Sequence, residues 1–294
     1  MPVRACICTL AAALCLAPVT EASAQNSASG AVTVTKLGAI KVAYAVAYRT
    51  RDPRNARNVA TEILLTDVPV KNPAALLDEL DPHMAAINLD ELKDRNYILV
   101  WVRPDGHVSM NATFSKTMTQ YLNDSTELKT TLTTNTDARV DARVYSAAPL
   151  KTMDGTTYTV DFKFAVDVPK PAAGTPLPAG GGDPGKAFTT FVGAALKKNW
   201  PGVKAGLSAK QLPSFDRSYN TPAENADSAA DLIKAWIPTS KMKVTKGELR
   251  GADVAILEVE GEKFEGMGWL SIVRMVKEGG AWKFDQSAPG GNVK

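Results

Sequence analysis

Apolar and polar side chains alternate most strictly at Tyr158-Thr-Val-Asp-Phe-Lys-Phe-Ala-Val-Asp-Val168. There Tyr158, Val160, Phe162, Phe164, Val166 and Val168 share one face, and Thr159, Asp161, Lys163 and Asp167 the other. A period of two predicts a strand with one dry side. The pattern recurs between residues 138 and 144, where Val140, Ala142 and Val144 oppose Arg139, Asp141 and Arg143. Further strands are predicted at 31–36, 40–48, 60–66, 97–103, 107–114 and 127–133, punctuated by turns at Asp105-Gly106, Asn135-Thr-Asp137 and Asp154-Gly155. About eight strands over residues 25–168 predict two packed sheets, an all-β sandwich. Short helices are predicted between 72 and 95, covering one end of it. Asn72-Pro73 reads as a helix start and Asn88-Leu-Asp-Glu91 has capping-box spacing.

Beyond residue 185 the periodicity changes from two to three and four. Asp183-Pro184 is placed to cap a helix on which Phe188, Phe191, Val192, Ala195 and Leu196 form one apolar stripe. Thr221-Pro-Ala-Glu224 is a capping box with proline in the first turn, predicting a second helix that reaches about Trp236 and stops before Pro238. Strands follow near 241–249, 252–260, 263–277 and 281–287, and their short connections predict an antiparallel meander. Helices followed by strands describe an α+β layer over residues 186–294. Between the two regions, 169–185 is rich in proline and glycine with few apolar side chains. It predicts a tether, semi-rigid at the prolines and flexible at the glycines.

Three stretches of the C-terminal region carry a resemblance: Phe188-Thr-Thr-Phe191 on its first helix, the strand Ala252-Asp-Val-Ala-Ile-Leu-Glu-Val-Glu260, and the ending Val273-Arg-Met-Val-Lys-Glu-Gly-Gly-Ala-Trp-Lys-Phe-Asp285. Together they resemble the NTF2-like, cystatin-like α+β domains of bacterial envelope proteins, above all small members with no assigned function. The resemblance implies a curved sheet wrapped round a helix, often with an apolar pocket. It implies no reaction, because such folds host enzymes, binding modules and assembly domains alike.

The N-terminus adds an address. Arg4 precedes an apolar run from Ala5 to Val19, broken only by Thr9 and Pro18, and Ala22-Ser23-Ala24 has the small residues of a cleavage site. That order predicts a signal peptide over residues 1–24, cut after Ala24, and a periplasmic or secreted mature protein. The run falls short of the roughly 18 to 20 residues that span a bilayer, so no integral span is expected after cleavage. All three cysteines, Cys6, Cys8 and Cys15, lie in this segment. The mature chain would therefore have no disulfide, thiolate ligand or cysteine nucleophile. A net charge of +3, with basic and acidic residues interleaved, argues against nucleic acid as a partner.

Catalytic chemistry is sparse. The two histidines, His83 and His107, read as solvated, one in a loop and one on the polar face of a strand. No nucleophile elbow, phosphate loop or metal spacing is present, and no cofactor is implied. Asp216 near Tyr219, and Asp253 or Glu265, are conceivable bases, whereas Asp253, Glu258, Glu260, Glu262 and Glu265 fit a solvated sheet face or turn. Trp200, Trp236, Trp269 and Trp282 crowd the C-terminal region, and Gly266-Met-Gly-Trp269 offers two glycines for a sharp bend. A ligand pocket would be lined by Trp236, Met267 and Trp269, with Tyr219 beside them, and would take a small apolar or ring-bearing molecule. The plainer reading, which the pattern favours, is that these aromatics fill the core. The expected function is non-enzymatic binding of such a ligand or of an envelope protein. The alternative is an isomerase- or hydrolase-type enzyme using a carboxylate in the C-terminal pocket.

Overall fold

The strand with the strictest alternation, Thr157–Asp167, lies at the centre of a sheet, where its apolar face is wholly buried. In the computed structural model the described residues are 26–293, apart from 53, 118, 124–126, 153–154, 220–236, 239 and 264–265. The signal segment and the helix expected over 221–236, with Trp236, lie outside them, as do Asp154 and Glu265. In chain order the first strands are β1 (Ser27–Val34), β2 (Gly38–Lys41), β3 (Tyr44–Asp52), β4 (Asn55–Thr66), β5 (Tyr97–Val102) and β6 (Val108–Phe114). They are followed by β7 (Thr119–Asn123), β8 (Leu128–Asn135), β9 (Arg139–Ser146), β10 (Leu150–Lys151) and β11 (Thr157–Asp167).

These strands form two antiparallel sheets. One has the order β2-β1-β11-β9-β8, with β10 beside β11, and the other is the meander β3-β4-β5-β6-β7. They face each other across one apolar core, to which Val160, Phe162 and Phe164 contribute from the first sheet and Ile63, Val100 and Met110 from the second. Close strand pairing is built into β1 at Gly30. Its φ is +109°, and a Cβ there would sit 2.3 Å from the Asp161 carbonyl oxygen, so only glycine fits.

The helical excursion differs from its expected place. Its elements are a 3₁₀ turn at Pro73–Leu77, helix α1 (Pro82–Ile87) and a turn at Asp90–Leu92. They lie on the outer face of the second sheet, where Leu76, Ala86 and Leu92 pack on Tyr48, Leu64, Tyr97 and Leu99. The cause is that β3 and β5 present large side chains outward as well as inward, and that surface needs cover. The capping box expected at Asn88 does not form: the Asn88 amide donates to the Met84 carbonyl, and Glu91 accepts from the Lys71 amide.

The third sheet has the antiparallel order β12-β13-β14-β15-β16, with β12 (Thr175–Pro176), β13 (Ser240–Arg250), β14 (Val254–Lys263), β15 (Met267–Glu278) and β16 (Ala281–Asn292). Helix α2 (Gly182–Leu196) lays Phe188, Phe191 and Val192 against Leu257, Val259 and Val273 on one face of this sheet. Helices α3 (Trp200–Gly206) and α4 (Leu212–Tyr219) follow. From Thr175 onward the expected tether is built into this layer. Thr175 and Pro176 pair with Leu249 and Glu248, Leu177 packs on the core, and Gly185 is so close to Gly180 that a Cβ would lie 1.9 Å from its carbonyl oxygen. Only 169–174 and 177–178 remain outside strands and helices.

Candidate functional site

Cross-strand register places three large side chains in one row on the outer face of the second sheet: Tyr48 on β3 is opposite Glu62 on β4, which is opposite Trp101 on β5. Strand β4 is buried on both faces from Ala60 to Thr66. Glu62 is therefore a carboxylate with no exposure to water, a position that requires a partner. His83 supplies one from above. Asp81 caps α1 by accepting from the Met84 amide at 3.0 Å, and the first turn then points the imidazole down onto the row. Its Nδ1 lies 2.7 Å from Glu62 Oε1, and its ring centroid is 6.1 Å from that of Trp101.

This pairing corrects the reading of His83 as a solvated loop residue, since its side chain is only 35% exposed. Its proton affinity is raised, first by the hydrogen bond to Glu62, with the charges of Glu62 and Asp81 adding to it against the opposing effect of burial. The Tyr48 phenol is held well above its ordinary range, first by burial and then by the Glu62 charge. Tyr48 Oη and Glu62 Oε2 are both buried and meet no partner at close hydrogen-bond geometry, so contact between them is at most loose. The dyad is thus a fixed carboxylate, an oriented imidazole and a second ring nitrogen, Nε2, that Glu62 does not use.

His83 and Trp101 form part of one wall of an open cleft of about 960 Å³. The opposite wall is the face of the third sheet turned away from its helices, including Ile256 and Glu258 on β14 and Ile272 on β15; Trp269, which register puts on the other face of β15 with Val273, also lines the cleft. Two ion pairs and a hydrogen bond to a backbone carbonyl hold the walls together. Arg51 on β3 donates to Glu258 at 2.6 Å, Arg57 on β4 pairs with Glu260 at 2.8 Å, and Arg274 on β15 donates to the Asp78 carbonyl at 2.6 Å. The solvated-face reading of Glu258 and Glu260 is corrected accordingly: that face looks across at the arginines of β3 and β4.

Of the residues expected to form a pocket, only Met267 and Trp269 have described side chains. Trp269 is among the residues that line the cleft. Lys263 lies 4.1 Å above its ring centre, and its indole Nε1 is buried without an acceptor among the described residues. Met267 is 48% exposed and is not part of the cleft lining. Tyr219 ends α4, and neither its side chain nor Trp236 falls within the described residues. Gly268 does not open space. A Cβ there would lie 2.9 Å from Val293, which returns alongside and donates from its amide to the Gly268 carbonyl. Trp200 and Trp282 do fill the helix–sheet core. Of the conceivable bases, Asp253 is exposed and Asp216 is in an ion pair with Lys204 at 2.5 Å.

Among the described residues, no group of three or more His, Cys, Asp or Glu could hold a metal ion. No described helix is long and apolar enough to cross a membrane. No protein family matches the chain, and no curated protein does. Among solved structures, one described as an "Ntf2 like protein involved in plasmid conjugation" aligns over 85% of this chain and 78% of its own, at 10% identity and a TM-score of 0.22. A superposition that loose carries no argument about fold or function.

Proposed function

We propose that the protein is an exported, non-enzymatic binding protein that holds a ring-bearing small molecule in the cleft between the second and third sheets. On this reading residues 1–24 are removed after export. Residues 25–168 form a sandwich domain, the expected tether from Thr175 onward belongs with 186–294 in an NTF2-like module, and 169–174 joins the two.

The observation that carries the reading is the chemistry of the cleft. Two tryptophans, Trp101 and Trp269, line it, and two large apolar side chains, Val59 at 40% and Met84 at 47% exposure, are left in water along the lining. Apolar surface kept exposed beside aromatic walls, in a volume near the upper end of small-molecule sites, is what a ring-shaped ligand would cover. The cleft's cations are met by carboxylates, Arg51 and Lys246 by Glu258 and Arg250 by Glu248. Burial of apolar surface therefore supplies most of the affinity.

The uncharged fluorophore N-phenyl-1-naphthylamine tests the reading. Its fluorescence should rise on binding the intact protein. Trp101→Ala and Trp269→Ala should each weaken binding by about tenfold, or ~1.4 kcal/mol, with circular dichroism confirming that the variants fold. Unchanged affinity in both variants would place the probe elsewhere and remove the proposal.

The Glu62–His83 pair favours a second reading, an isomerase- or hydrolase-type enzyme. An imidazole oriented by a carboxylate has the form of a general base. Recovery of the cleft's ligand unaltered after long incubation would dismiss it.

A further inference from the structure

We infer that the cleft selects ring-bearing acids, with His83 as the residue that recognises the acidic group. This rests on the cleft being a ligand site and deepens that reading by naming the ligand class. Three placements carry it. Glu62 is fully buried and holds Nδ1 at 2.7 Å, so the ring cannot swing away. His83 lines the cleft and is partly exposed, so the ring's remaining polar edge is Nε2. Trp101 lies beside it at 6.1 Å, so a ligand ring against that indole brings its substituent to His83.

A protonated imidazole with one nitrogen committed to a carboxylate presents a single charged N–H donor from the other. Such a donor binds a carboxylate or sulfonate far better than it binds a neutral group.

The other charges facing this position are nearly balanced. Asp81 precedes the same helix, Glu79 lies on the segment before it, and Glu62 and Tyr48 lie beneath; Tyr97 of β5 is near the row. Arg49 and Arg51 of β3, Lys246, Glu248 and Arg250 of β13, and Glu258 of β14 also line the cleft. Arg49 is engaged by Asp137 at 2.9 Å. With opposed signs on both walls, the field favours neither sign of ligand, and discrimination falls to the local donor.

Protonation decides the sign of that discrimination. Below its raised pKa His83 is a cation whose Nε2–H attracts an anion. Above it the ring keeps its proton on Nδ1 toward Glu62 and offers only a lone pair, which repels one. Acid preference should therefore be present at low pH and lost as pH rises through the His83 pKa.

8-Anilinonaphthalene-1-sulfonate differs from N-phenyl-1-naphthylamine by its sulfonate, which stays ionised throughout the range used. The ratio of the two affinities in the intact protein should favour the sulfonate by about tenfold at pH near 6, and the advantage should vanish toward about pH 9. In His83→Gln the ratio of the two affinities should show no acid preference at either pH, whatever happens to the affinity for the neutral probe itself. His83→Lys should keep the preference across the range. A ratio that is flat with pH, or equal in the intact protein and His83→Gln, would overturn the inference while leaving Trp269-dependent binding of the neutral probe intact. If neither probe responds to Trp101→Ala or to Trp269→Ala, the ligand site itself is lost and this inference with it.

Discussion

Phe188→Ala should destabilise the protein by about 3–5 kcal/mol, the range for truncating a fully buried aromatic. Phe188 has no solvent exposure and sits where α2 meets the third sheet. Its ring stacks at 6.4 Å on Phe284, which in turn stacks at 4.7 Å on Phe191, so truncation leaves a hole in a three-ring cluster that neighbours cannot close. The effect reaches the cleft because β14 and β15 have two working faces. Leu257 and Val273 point to the helices, while Ile256, Glu258 and Ile272 on the same strands form the cleft wall. Urea unfolding followed by tryptophan fluorescence measures the loss. A change below about 1 kcal/mol would mean that α2 is not the main support of this sheet.

Glu62→Ala is the second large effect. It removes the carboxylate that His83 Nδ1 meets at 2.7 Å and the charge beside Tyr48, from a site with no exposure to solvent. Breaking a buried pair from one side costs about 3–5 kcal/mol, and the lower end applies because the imidazole can turn toward water. Glu62→Gln should recover most of the loss, since its amide oxygen still accepts from Nδ1–H. Thermal and urea unfolding of the two variants, compared at one pH, give the numbers. A Glu62→Ala protein as stable as the parent would show that the carboxylate is dispensable to the fold.

Much of the sandwich was legible because its strands have one wet face. The alternation at Val140, Ala142 and Val144, and along β11, survives as a buried face opposed by exposed Lys163 and the Arg143–Asp161 pair. Strand β4 behaves differently. From Ala60 to Thr66 every residue is buried, because α1 and its flanking turns cover the outer face, and nothing local in residues 72–95 says which surface they cover. The dyad was missed for the same reason. Glu62 and His83 are 21 residues apart, and only strand register aligns Tyr48, Glu62 and Trp101 beneath the helix. One signal was available, a single carboxylate inside the apolar run of β4, since a buried carboxylate demands a partner.

The third sheet shows the same division. Its meander and its first helix follow from local periodicity, while its second face could not be assigned. Glu258 and Glu260 alternate with Leu257 and Val259 as any solvated face would, and their partners Arg51 and Arg57 lie 207 and 203 positions away. Likewise Leu177 alone, among the prolines and glycines before α2, hinted that the second half of the tether was part of the layer.

The central claim is that both walls hold one ligand. Hydrogen exchange of the intact protein, with and without saturating N-phenyl-1-naphthylamine, tests it most directly. Amides on both sides, at 83–84 and at 245–248 and 269–272, should exchange more slowly with the probe present. Protection confined to one wall, or appearing only under the helices around Phe188, would contradict it.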